Sequence, residues 1–129
     1  MFRVNSTQGQ ELAEILYPMT SLPIAIQVHP DLEIEELIAG LSPEIPWLER
    51  QTAARKLGSI GTTGAIQVLE SCLQTDPFWM VRCVIIQSLE MIGDPAVIPT
   101  LENVAVKDSF QAVRSAAAAA VENLRKMER

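Results

Sequence analysis

Residues 76–104 read DPFWMVRCVIIQSLEMIGDPAVIPTLENV, and this stretch decides the fold. Val81, Ile85, Leu89 and Ile92 recur every three to four residues, which predicts a helix over about 78–91 with one buried stripe. Gly93 supplies a stop, and Asp94-Pro95 supplies a cap and first-turn residue for a second helix. Ile98, Leu101 and Ala105 are expected to face inward on that second helix, which stops near Asp108. Two short helices joined by a glycine turn make one unit.

The unit repeats every 32 residues. Arg50, Arg82 and Arg114 share this spacing, as do Leu57, Leu89 and Val121 and, again, Ile60, Ile92 and Leu124. Gly61 falls on Gly93, Ile66 on Ile98, Leu69 on Leu101, Asp76 on Asp108 and Trp47 on Trp79. Such self-similarity marks a repeat array, in which each hairpin buries its apolar face against its neighbours. One unit therefore spans about 46–76, with Gly-Thr-Thr-Gly at 61–64 as its turn and Gly58, Gly61 and Gly64 as spacers. A third first-type helix is expected over about 110–127, where Ala116–Ala120 favour helix and close packing. Backwards, Ile34, Leu37 and Leu41 match Ile66, Leu69 and Leu73, so 31–41 reads as the second helix of a degenerate leading unit. Its partner is expected near 8–17. Pro18, Pro23 and Pro30 break any longer helix, leaving 18–30 extended or looped, with a strand-like alternation at Ile24, Ile26 and Val28. The resulting division is a partly irregular cap, 1–30, and a repeat domain, 31–129.

The text of 76–104, with its glycine turn and recurring Asp-x5-Arg, resembles HEAT repeats. It is most similar to the short HEAT-like repeat of the phycobilisome lyase family, over about 31–129. The resemblance implies an all-α, right-handed α-α superhelix of about three repeats. It also gives a role to Glu44, Arg50, Asp76, Arg82, Asp108 and Arg114, where acid and arginine stand six apart: a structural ladder between adjacent repeats, satisfying one another and loop amides.

Composition limits the function. The chain has 129 residues, a formal charge of −6 and two cysteines. Residues 1–49 hold Arg3 as the sole base against eight acids, whereas 50–129 hold nine bases and eight acids. This acidity argues against nucleic-acid binding, and it reads either as a solvated polar face or as a docking surface for a protein partner with a basic surface. No apolar run reaches the roughly 18 residues of a membrane span, and no signal-peptide stretch opens the sequence. Two cysteines are too few for a disulfide framework, so a reducing, cytoplasmic setting is expected.

Catalytic signals are missing from the sequence. His29, the only histidine, has no ligands at metal-binding spacing, so no metal and no cofactor is expected. Cys72 aligns with Val104 and reads as a small core residue, while Cys83 falls outside the stripe, where exposure is expected without a base to activate it. The second helices of such stacks commonly line the concave face. Their positions away from the stripe include Glu35, Glu36, Gln67, Glu70, Ser71, Gln74, Thr100, Glu102 and Asn103, with no base until Lys107. Glu36, Glu70, Thr100, Glu102 and Asn103 are therefore the candidate protein-binding residues, with Trp79 as an aromatic anchor. Trp47 and Trp79 otherwise read as packing between repeats. Ser115, Ala116, Ala119 and Ala120, continued by Cys83 and Val84, are expected to form a small-residue outer strip that, like the third first-type helix, could mediate homo- or hetero-oligomers. Arg125, Lys126 and Arg129 complement the dipole of that helix.

These observations favour a non-catalytic protein-protein interaction adaptor or chaperone-like factor. The resemblance places it in antenna (phycobilisome) assembly, maintenance or degradation. Its enzymatic alternative is a subunit of a bilin lyase that attaches or detaches a tetrapyrrole at an antenna-protein cysteine. Against that alternative, a bilin carries propionates, which an acidic face repels.

Overall fold

A computed structural model describes residues 30–128. Its contacts divide the chain into Met1–Glu33 and Ile34–Arg129. The expectations for helix 8–17, for residues 18–29 of the looped segment and for His29 lie outside the described residues, while Pro30, expected to end that segment, is instead the first residue of a helix. Within them, six α-helices follow one another: α1 (Pro30–Ala39), α2 (Trp47–Ile60), α3 (Thr63–Thr75), α4 (Trp79–Ile92), α5 (Ile98–Lys107) and α6 (Gln111–Met127). A 3₁₀ turn, Pro95–Val97, leads into α5. No strand occurs among the described residues.

Local chemistry sets the helix ends. Gly61 and Gly93 close α2 and α4 at φ 67° and 79°, a left-handed conformation that costs glycine least. Thr62 Oγ1 accepts from the Ala65 N–H at 3.2 Å to open α3, and Asp94 Oδ1 accepts from the Ala96 N–H at 2.9 Å to open the 3₁₀ turn. The turn of the first unit is therefore 61–62, with Gly64 already inside α3.

The first-type helices α2, α4 and α6 pack side by side, and the second-type helices pack against them: α3 on α2 and α4, and α5 on α6. This is an α-α solenoid. Val81, Ile85, Leu89, Leu57, Leu69, Leu101 and Leu124 form its core, each at most 1% exposed. Burial goes beyond the predicted stripe. Val84, Ile86 and Ser88 are also buried, because α4 has a first-type helix on each side. On α5, Val104 is buried and Ala105 only half-buried, so the inward stripe runs through Ile98, Leu101 and Val104.

Two further expectations need correcting. Gly58 is not a turn spacer but lies inside α2, where an added Cβ would come within 2.9 Å of Ser88 Cβ on α4; it permits close approach of the two helices. The outer small-residue strip is also misassigned in part. Ala120 and Val84 are buried and Ala116 and Cys83 half-buried, leaving Ser115 and Ala119 of that strip exposed on α6.

Candidate protein-binding surface

Between repeats, the arginines and acids meet across 26 residues of sequence. Arg50 donates through Nε and Nη2 to Asp76 at 2.8 and 3.2 Å, and Arg82 does the same to Asp108 at 2.8 and 3.0 Å. These two-point guanidinium–carboxylate contacts are geometrically demanding. Each aspartate also accepts a loop amide, from the Phe78 N–H or the Phe110 N–H, at 2.9 Å. The six-residue spacing has a different meaning. Arg82 and Arg114 donate to the backbone carbonyls of Asp76 and Asp108 at 2.8 and 2.7 Å, not to their carboxylates. Arg50 instead reaches the Ile45 carbonyl at 2.5 Å. Glu44 departs from the pattern: it is exposed, and its carboxylate accepts from the Ser42 hydroxyl rather than from an arginine.

Burial by itself would raise the Asp108 pKa, but the Arg82 guanidinium and the Phe110 N–H outweigh it and hold the carboxyl below its ordinary value. A depressed folded-state pKa contributes stability that is present above the unfolded value and lost as pH falls through the folded one. Asp108→Asn should therefore flatten the fall in urea midpoint below about pH 4, relative to the parent chain. An unchanged acid limb would show that this carboxylate contributes nothing to the stack.

An aromatic row borders the ladder. Trp47 meets Phe78 edge-on at 5.0 Å, Phe78 meets Trp79 at 6.2 Å, and Trp79 stacks on Phe110 at 5.7 Å with the rings 11° from parallel. The Arg82 guanidinium lies 5.9 Å from the Phe110 ring centre. Trp79 is half-buried within this row, whereas Phe110 is 46% exposed. Phe110 was not among the candidate residues, although its 32-residue spacing from Phe78 is visible in the sequence.

The second helices carry the polar candidates. Glu36, Glu102 and Asn103 are exposed, and Glu70 and Thr100 are half-buried. Thr100 Oγ1 donates to Glu70 at 2.7 Å, tying α5 to α3. Glu102 is engaged by Arg125 of α6 in an exposed ion pair, so its charge is partly offset. Through α1, α3 and α5 no base appears before Lys107.

Neither cysteine is primed. Both are half-buried and packed against the core, Cys83 included, and burial pushes both thiols above their ordinary value; at Cys83 the nearby Arg82 pulls downward without prevailing. Among the described residues no three His, Cys, Asp or Glu side chains gather as metal ligands would. No described helix is long and apolar enough to cross a membrane.

No curated protein matches the chain. Residues 34–122 match the family model for HEAT repeats, well over half of the sequence. With its paired helices, glycine turns and inter-repeat ladder, the chain belongs to the HEAT repeat family, whose repeats generally mediate protein–protein interaction.

Proposed function

We propose that this chain is a non-catalytic adaptor that docks a protein with a basic surface on the polar face of its second helices. The observation that carries this reading is the charge of that face: Glu36, Glu70 and Glu102, interspersed with Thr100 and Asn103, and no base along α1, α3 and α5 until Lys107. Opposed charge favours encounter and rejects acidic partners. The solenoid supplies a preformed surface, which limits the ordering cost of binding. The Trp79–Phe110 stack, with Phe110 46% exposed, offers an aromatic anchor. The resemblance of residues 76–104 and the 32-residue period to the short phycobilisome lyase repeats support a setting in antenna assembly, maintenance or degradation.

The test is a pull-down with tagged chain from phototroph extract, with mass spectrometry and an absorption spectrum of the eluate. One colourless protein should be retained by the parent chain and lost by Glu36→Lys/Glu70→Lys. Pigment that stays on this chain after the bound protein is stripped away would overturn the adaptor reading and favour the bilin lyase subunit.

A further inference from the structure

Between α3 and α5, near their C-terminal ends, lies a hollow of about 270 Å³. Buried Leu73 and Val104 give it an apolar base, and Gln74, Asn103 and Lys107 line it together with Asp76, Asp108 and Arg82. One turn towards the helix N-termini, the Thr100–Glu70 hydrogen bond at 2.7 Å bridges the two helices. The hollow is thus bounded by that bridge and by the ladder, and it admits one side chain rather than a chain running through it.

The groups left over in it are donors. Both aspartates already accept from a guanidinium at two points and from a loop amide. Arg82 carries five N–H groups, of which three are placed, on the Asp108 carboxylate and the Asp76 carbonyl. Its other two have no partner among the described residues, although Arg82 is 9% exposed, and a buried donor without an acceptor is costly. Arg50, one repeat earlier, has two loop carbonyls beside its Nη1, those of Pro43 at 3.5 Å and Ile45 at 2.5 Å. Gln74 and Asn103 are exposed amides, each able to donate.

Charge points the same way. Asp76 pairs with Arg50 and Asp108 with Arg82, and Arg114 adds a further cation beside Asp108. Glu70, the sole charge on α3, is held by Thr100, and Glu102, the other charge on α5, pairs with Arg125 of α6. Lys107 has no ion-pair partner among the described residues. The C-termini of α3 and α5 adjoin the N-termini of α4 and α6 through linkers 76–78 and 108–110, so the helix dipoles offset. The hollow in the same register between α1 and α3 lacks this donor set. Ser42 and Thr75 stand there in place of Gln74 and Lys107, among Ile38, Leu41, Pro43 and Cys72.

We infer that the α3–α5 hollow takes a carboxylate, the side chain of one Asp or Glu on the docked protein, held by Lys107 with Gln74, Asn103 and Arg82. The inference rests on the adaptor reading for its partner and adds a register to it: bases of the partner meet Glu36 and Glu70, and a single acid meets Lys107. One carboxylate satisfies the open Arg82 donors and the ammonium together.

Chemical-shift titration of the whole isotope-labelled chain with N-acetylglutamate α-amide, whose one carboxylate is the side chain, tests this at neutral pH. Shifts should gather on the Gln74 and Asn103 side-chain amides and around Lys107, and saturate below about 50 mM. The matched N-acetylglutamine α-amide should leave them unmoved. Lys107→Met, at an exposed position outside the ladder, should weaken binding about tenfold. Absence of a saturable shift, equal binding of the glutamine probe, or unchanged affinity in Lys107→Met each overturns the proposal. So does inorganic phosphate that binds the same groups about tenfold more tightly, which assigns the hollow to a phosphoryl ligand instead. The probe carries no base, so its failure leaves the adaptor reading to the pull-down, where Glu36→Lys/Glu70→Lys decides.

Discussion

Asp76→Ala lowers the free energy of unfolding by about 3–5 kcal/mol, measured by urea denaturation. The magnitude follows from what remains behind. Arg50 is 5% exposed, and two of its donors point at Asp76. Without the carboxylate they face a space from which water is largely excluded, as does the Phe78 N–H. The Arg50 side chain cannot simply swing into solvent, because its third donor is held by the Ile45 carbonyl. Replacing Arg50 as well should recover part of the loss, since an absent pair is less costly than a buried charge without a partner. If the single variant lost less than about 1 kcal/mol, the rung would be behaving as an exposed ion pair.

Ile86→Ala should lose about 2–5 kcal/mol in the same assay. Ile86 is 1% exposed on α4, which packs between α2 and α6. Removing its outer methyl groups leaves a gap that two helices, each committed to other contacts, cannot close. Val106→Ala provides the contrast: at 76% exposure it should stay within about 0.5 kcal/mol of the parent. Equal losses at the two sites would mean that α4 is not the central helix of the core.

Position in the array, rather than residue type, separates Ile86 from Val106, and the same distinction limits what the sequence conveys. The 32-residue period is legible because every hairpin must meet the next in the same way, so apolar, glycine and ladder positions return at one offset. Helix ends were legible for a local reason: Gly61 and Gly93 adopt a backbone conformation that most residues avoid, and Asp94 caps its own segment. The polar face of the second helices was likewise readable as the positions left over from the stripe.

The partner of each ladder residue was not readable. Spacing shows that Asp76 and Arg82 stand six apart, but only packing reveals that Arg82 spends its Nε and Nη2 on Asp108 and reaches Asp76 through the backbone. Glu44, Ala120 and Gly58 carry the same lesson. A helical stripe describes one face, while burial of Ala120 and the close approach at Gly58 depend on a second neighbour. Phe110 joins the aromatic row for a similar reason, since the ring on which it stacks belongs to the preceding repeat. The sequence by itself thus determined the repeat unit, its period and the residue types at each register, because those depend on the chain's own periodicity. Tertiary structure alone decided which side chains pair between repeats and which described positions outside the stripe are buried, because both depend on contacts between hairpins that one-dimensional spacing does not contain.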